Sequence, residues 1–172
     1  MKELSLENLY LFFVLALGFL AIADLIVGVS NDAVNFLSSA IGSKAVSFKK
    51  IMIIASFGIA LGAIFSSGMM EVARKGIFNP ELYYFDEIMI IFLAVMITDI
   101  LLLDFFNTLG LPTSTTVSIV FELLGAAVSI AAYKIWENSQ SINELITYIN
   151  YSKATQILSL IHISEPTRPE RI

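Results

Sequence analysis

The sequence has no cysteine, few charges and a single histidine. Without cysteine there is no disulfide, no thiol nucleophile and no thiolate metal site. The redox compartment is therefore not legible. Charged residues make up 15% of the chain, where a soluble domain carries about 25%. Basic residues are the scarcer sign, and the formal net charge is −5. That balance excludes a nucleic-acid partner, which needs a basic face. The N-terminus also lacks the positive start of a signal peptide, since Glu3 and Glu7 stand there.

What is abundant is apolar: 57% of residues are hydrophobic. The charges cluster and leave long apolar runs between them. A soluble core helix seldom needs more than roughly 10–14 consecutive apolar residues, whereas a bilayer span needs about 20. Four runs reach that length: Leu9 to Val27, Ile51 to Met70, Ile88 to Phe106 and Ser114 to Tyr133. In lipid the backbone must satisfy itself, so each is predicted to be a helix. The fold class is an all-α membrane protein, a helical bundle of four spans with discontinuous helices. Residues 1–150 form its membrane domain.

Ser30 to Ser43 is too short to cross as a helix and too polar to face lipid. The reading here is a half-helix or re-entrant piece. Lys44, Lys49 and Lys50 then mark the first connection as cytoplasmic. The N-terminus falls outside, with Tyr10, Tyr83, Tyr84, Tyr133 and Trp136 at the outer boundary. Asn138 to Tyr151 reads as an outer loop or surface helix. Residues 151–160 read as the truncated start of a further span. His162 to Pro169 breaks the pattern and resembles translated sequencing-adapter sequence. Residues 161–172 are therefore read as a non-native tail, and His162 is given no role.

Two helix breaks carry polar groups. At the first, Gly28 lets the chain leave the first span, and Ser30 or Asn31 can cap a new helix. Asp32 and Asn35 follow on one face of the new turn. Their carboxylate and amide oxygens suit a hard cation. A glycine kink with a polar cap explains the same residues about as well. At the second, Pro112 biases Leu111 away from helix and suits a first helical turn. Ser114, Thr115 and Thr116, with Thr113 before them, give a run of hydroxyls beside unpaired N–H groups. The positive end of the helix dipole points the same way, which makes an anion site suited to phosphate. An ordinary capped helix start is the plainer alternative. Both breaks fall at the same side of the membrane and can meet.

Acids inside the spans need an account, since each costs roughly 2.5–3.5 kcal/mol at a helix centre. Asp24 and Asp104 fit positions near span ends. Asp99 and Asp104 do not share a face closely, and Glu122 is the better candidate for a buried acid.

The two breaks resemble the signatures of the inorganic phosphate transporter (PiT) family. The first is a Gly-x-x-Asn-Asp or Gly-x-Asn-Asp turn, then Asn, then Gly-Ser/Thr, here Gly28, Asn31, Asp32, Asn35, Gly42 and Ser43. The second is Gly-x-Pro-x-Ser-Thr-Thr, here Gly110, Pro112, Ser114, Thr115 and Thr116. The resemblance covers about Leu9 to Tyr133. Val117 stands where many members have histidine, and Ser30 lengthens the first turn.

The resemblance implies two inverted repeats, each with this motif pair, and phosphate bound with Na⁺ or H⁺ as the coupling ion and no cofactor. Ser114, Thr115, Thr116 and Asn35 would hold phosphate. Asn31 and Asp32 would hold the cation, with Na⁺ on Asp32. Only one copy of each motif is present, so the second repeat is missing. The chain alone should then be inactive, unless two copies pair as a homodimer in opposite orientations. The expected setting is lipid, as a multi-pass protein of a bacterial inner membrane. Three other readings stand beside this one: a sulfate or metal–phosphate transporter, a non-catalytic membrane assembly subunit, and an intramembrane enzyme using Asp99 and Asp104.

Overall fold

The computed structural model describes residues 6–65, 76–111, 113–153, 155 and 159. Four long helices dominate: α1 (Leu6–Ser43), α2 (Phe48–Phe65), α3 (Phe85–Leu109) and α4 (Thr115–Glu137). A short helix, α5 (Leu145–Tyr148), follows. Each long helix contains a stretch long and apolar enough to cross a membrane; in α1 it is Glu7–Ala33. The protein is an all-α, multi-pass membrane protein.

The third and fourth spans emerge where the apolar runs predicted them, with bounds shifted by a few residues. The second is helical from Phe48 to Phe65, and residues 66–70 of its predicted run lie outside the described residues. The first does not stop at Val27. α1 continues through Gly28 to Ser43 as one helix of 38 residues. At about 1.5 Å per residue it is ~57 Å long, against about 30 Å of hydrocarbon. The expected break at the first motif, and the separate half-helix after it, are therefore absent. The physical reason is local. Glycine inside a helix costs only about 1 kcal/mol. Ser30 does not cap a new helix; its hydroxyl donates back to the Ile26 carbonyl at 2.7 Å, a bond compatible with unbroken helix. α1 ends at Ser43, where Lys44 turns left-handed at φ 54°.

α3 is the centre of the bundle and packs between α1 and α4. Its start is fixed by Glu87, whose carboxylate accepts from the Tyr84 N–H at 2.7 Å, closing one open donor of the first turn. Against it α4 lays a stripe of Val120, Leu123, Ala127, Ala131 and Ile135, all buried. Ala127 and Ala131 are completely covered. Small residues four apart let helix backbones approach, and dispersion then replaces the hydrophobic drive that lipid removes. α2 packs mainly along α1, and Ile51 is its one buried residue.

The two loops at the α3 start and α4 end fold into the core instead of lying free. Phe78 and Ile149 pair in an isolated antiparallel bridge. Ile77, Phe78, Tyr83 and Ile149 are buried with the α3 and α4 stripe. The Tyr83 hydroxyl donates to the Ala127 carbonyl at 3.0 Å. Lys134 Nζ pairs with Glu87 at 2.8 Å, donates to the Leu82 carbonyl at 3.0 Å and lies 4.5 Å from the Tyr84 ring centre. Tyr10 meets Phe85 and Tyr133 meets Trp136 at this same end. The aromatic positions singled out in the sequence therefore share one end of the bundle.

Candidate anion and cation site

The second break has the predicted form. α3 ends at Leu109, and Gly110 takes the left-handed conformation at φ 67°. Its N–H donates to the Asn107 carbonyl at 3.2 Å, and the Leu111 N–H donates to the Phe106 carbonyl at 3.0 Å. This is the glycine-stopped helix end that leaves the chain free to turn. Ser114 caps α4, accepting from the Val117 N–H at 3.5 Å. Pro112 lies outside the described residues.

The two motifs meet across this break. Asn31 is 3% exposed, and its amide donates to the Thr113 carbonyl at 3.2 Å over a separation of 82 residues. The Thr115 side chain lies close enough to Asp32 to act on its carboxylate. Asn107 supports the junction from α3, donating to the Val27 carbonyl at 3.4 Å. With its NH₂ so engaged, Asn31 has an amide oxygen left to offer, and Asp32 and Thr115 add a carboxylate and a hydroxyl at the same junction. Oxygens of this kind fit a hard monovalent cation.

Two cavities flank the junction. One, of about 600 Å³, lies between α3 and the start of α4, lined by Thr98, Thr113, Ser114, Ser118 and Glu122 among others. The other, of about 320 Å³, is an apolar cleft between α1 and α2 into which Asp32 brings the only charge. Ser114 therefore faces the polar cavity and Asp32 the apolar one, with Thr115 close to Asp32. Thr116 is half-buried and lines neither cavity. The side chain of Asn35 lies outside the described residues.

The acids fall differently from their expected places. Asp24 does not sit near a span end. It lies well inside the Glu7–Ala33 stretch and against Asp99. Asp99 is buried while Asp104, five residues on, is exposed. The carboxylate pair that an intramembrane enzyme would need is not formed by these two. The Asp24–Asp99 contact was missed because neighbours on different helices leave no trace in sequence spacing.

Polar groups gathered at a helix break inside an apolar bundle are the architecture of secondary transporters. Comparison with known proteins gives the family. The model of the phosphate transporter family matches residues 28–165. A provisionally named phosphate permease of Thermococcus kodakarensis is 28% identical over 158 residues, 83% of this chain and 38% of its own length. A sodium-dependent phosphate transporter of Plasmodium falciparum is 35% identical over 118 residues, 66% of this chain and 18% of its own. A provisionally named permease of Pyrococcus furiosus is 31% identical over 123 residues, 70% of this chain and 30% of its own. No solved structure matches the chain. The chain belongs to the phosphate transporter family. It spans well under half the length of these relatives.

Proposed function

We propose that this chain forms the first of two inverted repeats of a secondary transporter that moves inorganic phosphate with Na⁺ or H⁺ across a bacterial inner membrane, its N-terminus outside. The observation that carries the reading is the bond from Asn31 to Thr113, which joins the amide–acid motif to the hydroxyl-rich helix start. Phosphate would bind at the first turn of α4, which carries the Ser114 and Thr115 hydroxyls and where the helix dipole favours an anion. A cation on Asp32 would offset the phosphate charge. Without one, the Asp32 carboxylate would repel the anion across a low-dielectric junction. The name of the Plasmodium relative, a sodium-dependent phosphate transporter, supports pairing phosphate with a cation.

The test is labelled phosphate uptake by the complete transporter in a transport-deficient strain. Asp32→Asn should abolish coupled uptake. Thr115→Val removes one neutral hydrogen bond, about 1 kcal/mol, and should raise the half-saturating phosphate concentration about fivefold. Excess unlabelled sulfate should leave uptake unchanged. Normal uptake by both variants contradicts the residue roles, and competition by sulfate contradicts the choice of anion.

A further inference from the structure

Three carboxyl groups from three helices lie in series inside the bundle, Asp24 beside Asp99 and Glu122 reached through Ser118, apart from the Asn31–Thr113 junction. They are Asp24 on α1, Asp99 on α3 and Glu122 on α4. Asp99 is 2% exposed. Asp24, Ser118 and Glu122 all lie close enough to influence its carboxyl. The Ser118 hydroxyl donates to Glu122 Oε1 at 2.8 Å. One oxygen on each acid, Asp24 Oδ1, Asp99 Oδ1 and Glu122 Oε2, is buried with no hydrogen-bond partner.

The proton inventory of this chain of contacts is short. The serine hydroxyl has one hydrogen and spends it on Glu122, so the contacts of Asp99 with Asp24 and Ser118 receive none from it. An ionised carboxylate only accepts, so the other contacts are filled only by protons on the acids. Among the described residues of these three helices no basic side chain stands in for them. α1 and α3 contain no lysine or arginine, and the one on α4, Lys134, is engaged by Glu87. Asp104 is exposed on α3. Asp32 lies two turns further along α1 and close to Thr115. Leaving three unpaired buried charges together would cost far more than the fold's margin. A metal ion does not fit either. Among the described residues no three acids converge closely enough to hold one.

We propose that Asp24, Asp99, Ser118 and Glu122 form an exchangeable proton-binding site within the membrane. The acids hold at least one proton in common. Glu122, which lines the open cavity with Thr113 and Ser114, is where it enters from water and returns. The assignment goes beyond phosphate binding and does not depend on it.

Infrared spectroscopy of the complete transporter in lipid vesicles tests this directly. Wild type should show a protonated-carboxyl band that shifts in heavy water and weakens as pH rises. Asp99→Asn should remove most of it, and Asp104→Asn should leave it intact. If Asp99→Asn does not reconstitute, Glu122→Gln serves as the second variant and should reduce the band. A band unchanged in both Asp99→Asn and Glu122→Gln overturns the site. A band abolished by Na⁺ at fixed pH overturns the choice of a proton as its ligand. Neither outcome bears on whether phosphate is carried.

Discussion

Asn31 closes a carbonyl that a helix start would otherwise leave open, and it does so from another helix. Its neighbour Asp32 was recognisable from sequence as a cation ligand type because an acid beside an amide is rare in an apolar run. The pairing of Asp32 with Thr115 was legible only as a meeting of two breaks. Tyr83 carried a weaker signal. It read as a boundary aromatic, yet its hydroxyl is turned inward to Ala127. Burial, with Tyr148 and Glu87 nearby, pushes that phenol well above the usual tyrosine range. An acid that resists ionisation in the folded state adds stability that is complete below its ordinary pKa of about 10 and is lost as pH rises through the folded value. Melting temperature in detergent should therefore fall as pH climbs above about 10. Tyr83→Phe should cost about 1 kcal/mol at neutral pH and flatten that fall. An alkaline fall as steep in the variant as in wild type would contradict the assignment.

The two glycine motifs look alike as elements in sequence and fold differently. Gly110 is left-handed and ends α3, whereas Gly28 sits in the unbroken interior of α1. A Cβ at Gly28 would meet Leu103 at 3.8 Å, an ordinary contact. Gly28→Ala should accordingly be tolerated or stabilise by about 1 kcal/mol. Gly110→Ala forces a side chain into φ 67° and should cost about 1–2 kcal/mol. Thermal unfolding of the two variants separates them; equal destabilisation would mean that α1 is broken after all. The second break was readable because a left-handed glycine and a serine cap are local chemistry. The first was misread because Asn31, a good cap by type, is held by Thr113, a partner 82 residues away that local rules cannot see.

Over the whole molecule, the spans were legible because length and apolarity are set by the bilayer itself. The order of packing was not: nothing in composition puts α3 between α1 and α4, or folds the 76–84 and 138–150 loops together. Apolar side chains such as Phe12, Phe19, Ile53, Phe57 and Ile64 remain exposed on α1 and α2, as lipid-facing or partner-facing helices require. The proposed anion site lies beside the Asn31–Thr113 junction, next to the cavity that Thr98 lines. A single cysteine placed by Thr98→Cys, in the complete transporter with its other cysteines replaced, would report on that cavity, and this segment contributes no cysteine of its own. The measurement is the rate of thiol labelling with and without phosphate, repeated with Asp32→Asn. The account predicts that phosphate slows labelling and that the protection vanishes in the Asp32 variant. Labelling indifferent to phosphate, or protection that survives without the Asp32 charge, would contradict it.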